Sequence, residues 1–519
     1  IATRASMPGR LADELMANYP EIESASMVWP PRFFGGEGFI SYKNEQFITN
    51  AQLVNNEFFN IISFPLMEGN PETALKDKSE VLIAKSLAEK VFGTTYNLLG
   101  KMLKWKRGRI GGEYIISGIF MDVPKNSSMQ FDMLLNAEIM MDAYPYHEKW
   151  GNTNPHTLLL LKQGTSAESF NSKIEGLIQS KLEKSTSTLF IQKFSDRYLY
   201  GTYENGVASG GRIAYVRLFS IVAMIILIIA CINFTNLSTA KAAGKLKEIG
   251  VKKALGAKRR ALIGQYYTES FLLTTLSVML ALGLVVFLLP QFNQVTGKEL
   301  SIKLTPQLLT AIVLTIFITG FLSGSYPALY LSKLKTTESL KGKLVRKMSD
   351  LLVRKGLVVF QFSISIILVF SVMIISRQVE YIQSKELGYE RDNVLKFNNT
   401  GIEYADFRSF LSGLESIPGL VSIATTGHNL TGDNGKTSSL SWPGKEAGQK
   451  VNFINLEMSP GFIETMGMEM VMGRSFDWKR TNEEQKIIFN ETAIAQMGLK
   501  DPIGKTIKLW VNHDKEIIG

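Results

Sequence analysis

The chain has 519 residues, with 57 Lys and Arg against 47 Asp and Glu and a single cysteine, Cys231. The length exceeds one ordinary domain, and one cysteine excludes an intrachain disulfide. The formal charge of +10 is concentrated: residues 241–260 hold eight bases and one acid, residues 333–355 eight bases and two acids, and the remainder is slightly acidic. Two short basic segments do not make a nucleic-acid face, so no nucleic-acid partner is expected.

Residues 1–212 read as a mixed α/β region. Residues 11–18 form a short amphipathic helix before Pro20, residues 47–54 and 114–120 read as strands, and residues 86–92 as a helix closed by Gly93. Residues 136–155 are loop-rich, and residues 167–182 carry helical apolar spacing. The four histidines, His147, His156, His428 and His513, have no metal-ligand spacing, so no metal site is expected. Ile1 opens without Met or a signal peptide, and the expectation is a fragment.

Four charge-free apolar runs follow, at residues 218–240, 270–289, 309–331 and 356–376. Each reaches the roughly 20 residues that cross a bilayer, and in lipid each must be helical to satisfy its own backbone. Gly320 and Gly324 have the spacing of a close helix contact, and Pro327 suggests a kink or early stop. The basic segments place residues 241–260 and 333–355 inside. The short connection at 290–304 and both large regions, 1–212 and 377–519, then lie outside.

Those outside regions repeat each other. Phe58 matches Phe462 and Gly69 matches Gly473 at one offset, and Gly100-Lys101 matches Gly504-Lys505 at the same offset. Between them residues 81–83 match 487–489, each leading into a helix; Trp105 then matches Trp510, and the Ile-Ile-Ser-Gly ending at Gly118 matches the Ile-Ile-Gly ending at Gly519. Duplication is the direct reading, and three further membrane helices are expected after the second copy.

Residues 498–506, GLKDPIGKT, approach a phosphate-binding loop but carry five residues between the glycines where four are needed. No paired carboxylates or nucleophile constellation stands out, so an enzyme with its own active site is not expected. In residues 241–260, Lys241, Lys245, Glu248 and Lys252 recur at helical spacing opposite Ala243, Leu246, Gly250 and Ala254. Gly256 should end that helix and Lys258 begin the next. A solvated loop that sets topology and a short helix lying along the membrane for a partner both fit this pattern.

The stretch KEIGVKKALGAKRR at residues 247–260 resembles the segment after the second membrane helix of MacB/FtsX-type permeases of ABC transporters. DPIGK at 501–505 is similar to their periplasmic core domain, and LVVFQFSISI at 357–366 resembles the helix opening the second half of duplicated, eight-helix members found in Bacteroidetes. The fold class implied is an α-helical transmembrane bundle, with four helices present, plus two α/β periplasmic core domains. The implied domains are a first periplasmic copy at 1–212, an FtsX-like permease domain at 213–335 with its coupling helix near 241–256, a cytoplasmic linker and helix at 336–376, and a truncated second periplasmic copy at 377–519.

The resemblance implies a permease of the bacterial inner membrane, without its own ATPase site, moved by a separate dimeric cytoplasmic ATPase that carries the ATP and Mg. Carried over by position, Glu248, Ile249, Gly250, Lys253, Ala254, Gly256 and Ala257 should face that ATPase. The motion would reach the periplasmic domains and export or extract a peptide, lipoprotein or drug-like molecule, with membrane lipid and a periplasmic or outer-membrane protein as further partners. The alternative is an FtsX-like signalling protein that activates a periplasmic partner such as a cell-wall hydrolase.

Overall fold

A computed structural model describes the chain except residues 1–2, 32–37, 109, 184, 245, 333–347, 398–406, 428–435, 438, 447–448, 450 and 511–512. Lys245, His428 and most of the second basic segment and its linker lie outside the described residues. The chain divides into two units, one of residues 4–123, 129–191 and 385–519, the other of residues 124–128 and 192–384 together with Thr3.

The first unit begins with α1 (Leu11–Asn18), which buries Leu11, Ala12 and Leu15 on one face. Strands β1 (Ile22–Trp29), β2 (Gly38–Tyr42), β3 (Glu45–Thr49) and β4 (Ala51–Val54) follow, then α2 (Phe58–Ile61) and β5 (Leu66–Gly69). The expected strand at 47–54 is two strands broken at Asn50, whose N–H donates to Asp132 at 2.7 Å. The break lets β3 pair with β2 while β4 pairs with β1 and β9. Next come β6 (Glu80–Ala84), α3 (Lys85–Phe92), β7 (Met102–Arg107), β8 (Ile110–Phe120), β9 (Met133–Asn136), α4 (Glu138–Ala143) and β10 (His156–Leu161). The helix expected at 167–182 is interrupted at residues 175–176, giving α5 (Ala167–Ile174) and α6 (Leu177–Lys181).

Nine strands run in the order β10-β1-β4-β9-β6-β8-β7-β2-β3, with β5 on β8 as the tenth. Central β6 is flanked on both sides, and Val81 to Ala84 are all buried. β7 alternates, with Leu103 and Trp105 inward and Met102 and Lys104 outward.

The later residues of this unit form α12 (Phe407–Glu415), β13 (Lys436–Thr437), β14 (Leu440–Ser441), β15 (Phe453–Ile454), α13 (Phe462–Thr465), β16 (Lys486–Ile487), α14 (Glu491–Met497), β17 (Thr506–Leu509) and β18 (His513–Ile517); α12 takes its number from the membrane helices α7 to α11 that precede it in the chain. The order β14-β17-β18-β16 repeats β2-β7-β8-β6, including the parallel pairing of β16 with β18 and of β6 with β8. Phe58 and Phe462 each open a one-turn helix and are buried. Gly100 and Gly504 share φ near +80° and donate to Ile116 and Ile517, while Lys101 and Lys505 accept from the same two residues.

Gly69 and Gly473 also correspond. A Cβ on Gly69 would lie 2.6 Å from the Ser117 carbonyl oxygen, and one on Gly473 would lie 2.0 Å from that of Ile518. The tryptophan match is corrected. Trp105 faces Ile40 across β2, and the residue facing Leu440 across β14 is Leu509. Leu509 fills the buried position, whereas Trp510 is half exposed just past the strand.

The GLKDPIGKT stretch is a helix end followed by a strand start. Gly498 closes α14 at φ +68°, and Thr506 opens β17, so no helix N-terminus stands behind it to hold a phosphate.

The second unit holds a hairpin of β11 (Thr202–Glu204) and β12 (Val207–Gly210) and the helices α7 (Ile213–Gly244), α8 (Leu246–Ala254), α9 (Arg259–Thr296), α10 (Pro306–Ser332) and α11 (Met348–Ser384). Four are long and apolar enough to cross a membrane, over Ile213–Ser238, Arg259–Thr296, Pro306–Ser325 and Lys355–Ser384. Helix α9 runs through Pro290, which lacks a donor for only one backbone bond, and stops at Gly297 with φ +62°. The connection is therefore 297–305 rather than 290–304. Pro327 does not stop α10, which continues to Ser332.

Two outcomes test the first unit. Gly69→Ala combines a left-handed backbone with a backbone clash and should cost about 3 kcal/mol. Gly100→Ala, at φ +79° in open space, should cost about 1 kcal/mol. Thermal unfolding of the full chain reads the order, and equal losses would contradict the shared contact at Gly69.

The second outcome concerns acid. His147 is fully buried beside Trp29 and Tyr146, accepts from the Asn154 amide at Nδ1, and burial lowers its pKa to about 4. The unfolded chain takes up that proton near pH 6.5, so stability falls as pH drops from 6.5 through 4. Burial raises Asp132 to about 6, so the folded chain holds a proton the unfolded chain has lost, and stability rises as pH drops from 6 toward 4. The two oppose each other. Asp132→Asn, which keeps an acceptor for Asn50, should steepen the loss of thermal midpoint between pH 7 and 4.5 relative to the unaltered chain.

Candidate functional site

The site is the elbow between α7 and α9. Helix α8 ends in two backbone bonds: Gly256 N–H donates to the Lys253 carbonyl at 3.0 Å and Ala257 N–H to that of Lys252 at 2.9 Å. Gly256 sits at φ +92°, the left-handed conformation this helix end requires and glycine adopts without strain. Lys258 is extended and starts α9 one residue later. Glu248 and Lys252 pair at 2.8 Å, and Lys252 also donates to Gln265 on α9 at 3.2 Å. The side chain thus ties α8 to the helix after it. Burial and the neighbouring Arg259 hold the Lys253 ammonium below its ordinary pKa.

The seven residues carried over by position do not share one surface. Glu248, Ala254 and Gly256 are exposed, Lys253 and Ala257 are half-buried, and Ile249 and Gly250 are buried within the chain. Ile249 retains 3% of its surface, so it and Gly250 hold α8 in place instead of presenting it. The outer face carries two residues not anticipated: Val251, half exposed, and Leu255, 83% exposed. With Glu248 and Lys252 they follow the i, i+3, i+4, i+7 spacing of one helical face, a signal present in the residues but obscured by the surrounding lysines.

Behind the elbow, α10 packs on α9 and α7. A Cβ on Gly320 would fall 2.7 Å from the Phe271 ring, and one on Gly324 3.0 Å from Ser270 Cβ. Ser270 Oγ donates to the Gly320 carbonyl at 2.9 Å, and Thr235 Oγ1 on α7 donates to the Cys231 carbonyl at 2.9 Å and reaches that of Ser323 at 3.4 Å. The glycine pair expected to mark close packing does so. At the other end of α9, Lys125 forms an ion pair with Glu299, bringing residues 124–128, which join β8 to β9, against the 297–305 connection.

The FtsX-like permease C-terminal family matches residues 220–336, which include the elbow and the glycine seam, and the MacB-like periplasmic core domain family matches residues 2–177. The chain belongs to the MacB/FtsX-type permeases of ABC transporters. It is a multi-pass inner-membrane protein of this permease family, with periplasmic domains. A macrolide export ATP-binding/permease protein MacB from Salmonella paratyphi A is 21% identical over 318 residues, 58% of this chain and 44% of that protein. Its counterpart from Bdellovibrio bacteriovorus is 29% identical over 124 residues, 24% and 19% of the two chains. The permease thus spans less than half the length of these relatives. A solved permease domain from Porphyromonas gingivalis is 25% identical with a TM-score of 0.31, covering 37% of this chain and 86% of that one.

The seam makes its own expectation. Gly320→Leu should lower stability by about 1–3 kcal/mol by forcing Phe271 out of place. Gly283→Leu, on α9 where an added Cβ would meet nothing within 4 Å, should change little. Thermal unfolding in detergent checks both, and equal behaviour would remove the seam from the packing.

Proposed function

We propose that this permease converts ATP hydrolysis by a separate cytoplasmic ATPase into conformational change of its periplasmic sheets. The ATP and Mg would reside on the ATPase, and this chain would supply no ATPase site of its own. Residues 1–212 and 377–519 would be the duplicated periplasmic domains, and residues 213–335 the permease domain that moves them.

The observation that carries this reading is the outer face of α8, where Val251, Ala254 and Leu255 expose apolar surface beside Glu248 on a helix closed at Gly256. Exposed Leu255 costs solvation in isolation and suits an apolar groove on a partner. A push on that face passes through Lys252 and Gln265 into α9, along the α9–α10 seam, and out to Glu299 and Lys125. No wide passage through the bilayer is needed for such a relay. The macrolide-export names of the relatives support a drug-like cargo, and a peptide or lipoprotein fits the same periplasmic arrangement.

Leu255→Asp should weaken association with the ATPase by about 30-fold, the effect of losing one apolar anchor. Insertion and thermal midpoint should be retained because Leu255 packs against little of its own chain. Copurification and ATPase stimulation read the outcome, and unchanged values for Leu255→Asp together with Val251→Asp would count against α8 as the docking helix.

A further inference from the structure

A second site lies at the opposite end of α7. In the chain just before α7, residues 194–212 fold back on the start of that helix. Tyr200 N–H donates to the Asp196 carbonyl at 2.7 Å, and Ile213 N–H to that of Leu199 at 3.0 Å. Hairpin β11–β12 projects from this segment. Two glycines let the backbone cross itself: a Cβ on Gly211 would meet the Leu199 carbonyl oxygen at 2.7 Å, and one on Gly201 that of Arg197 at 2.6 Å. The crossing leaves a cleft of about 300 Å³ lined by Arg197, Arg212, Tyr198, Ser128 and Thr202. No acidic residue lines it among the described residues.

We propose that this cleft holds the phosphate of a phospholipid headgroup from the periplasmic leaflet. Two guanidinium groups supply the planar donor forks that match phosphate oxygens, and the hydroxyls of Ser128 and Thr202 supply further donors. Arg212 lies 4.3 Å over the Tyr198 ring, which holds the flat face of its guanidinium and leaves the N–H edge for an anion.

Depth selects a lipid over a free anion. The charge-free run of α7 begins at Leu218, so Arg212 stands about 9 Å along the helix from the hydrocarbon edge, at headgroup level. Exposed aromatic rings mark the same level: Phe194, Tyr198 and Tyr215 each leave more than 40% of their surface uncovered. Such rings favour the membrane–water interface. Ser128 belongs to the 124–128 segment that Lys125 ties to Glu299, so a bound lipid would sit against the contact by which α9 meets the first sheet's connection.

The test uses the full chain in a neutral maltoside detergent, titrated by calorimetry with dihexanoylphosphatidylglycerol and separately with inorganic phosphate. The lipid should bind, and Arg197→Gln with Arg212→Gln should weaken it at least about tenfold, the scale of losing charge-assisted hydrogen bonds. Arg217→Gln, on α7 outside the cleft, should leave binding unchanged. Arg197→Lys with Arg212→Lys keeps the charge but not the forks and should lose about threefold, which covers the case of a glutamine variant that fails to fold. Equal lipid affinity in the folded glutamine or lysine double variant would overturn the site. Inorganic phosphate that binds as tightly as the lipid and displaces it would overturn the lipid assignment and leave a free-anion site.

Discussion

Inside a bilayer, water cannot drive helices together, so their association depends on how closely backbones approach and on which polar groups find each other. In this permease that constraint is met at Gly320 and Gly324, where α10 lies against Phe271, Tyr267 and Ser270 of α9. Ser270 and Thr235 reach across with their hydroxyls to the Gly320 and Ser323 carbonyls of α10. Larger residues at either glycine would hold the helices apart and remove those bonds together. A seam that admits only one register can carry displacement along its length, and the proposed relay depends on it.

The elbow adds a second constraint. A helix that simply continued from α7 would run on away from the membrane and could not return as α9, and a flexible loop would absorb any push. The left-handed Gly256 avoids both, since it ends α8 with two backbone bonds and lets Lys258 begin α9 almost at once. The connection between α8 and α9 is therefore short and held by backbone hydrogen bonds. At the far end the chain again uses glycine where segments cross, at Gly201 and Gly211, and there the result is a cleft with two arginines.

Much of this was legible in the residues. Charge-free runs marked the four spans because lipid leaves a helix no alternative, and Gly69 and Gly473 betrayed the repeat because only glycine tolerates their contacts. The repeat failed at Trp510, where identity of residue type misled: the β17–β18 hairpin carries its buried side chain one residue earlier, at Leu509. At the elbow the spacing fits a solvated loop or a short helix, the family resemblance implies the helix, and neither indicates its buried side. Periodicity reports that α8 has two faces; the positions of α7 and α9 decide that Ile249 and Gly250 turn inward while Val251 and Leu255 turn out. The cleft at Arg197 and Arg212 had no sequence signature, because its residues are brought together by backbone crossings and not by spacing.

The most direct measurement uses spin labels on the full chain assembled with its ATPase, at Lys253 on α8, at Lys298 beyond the far end of α9, and at Lys104 on β7. The account predicts that trapping the ATPase with ATP leaves the distance from 253 to 298 unchanged and alters that from 298 to 104. A changed distance from 253 to 298 with a constant distance from 298 to 104 would show that the elbow absorbs the motion, and would contradict it.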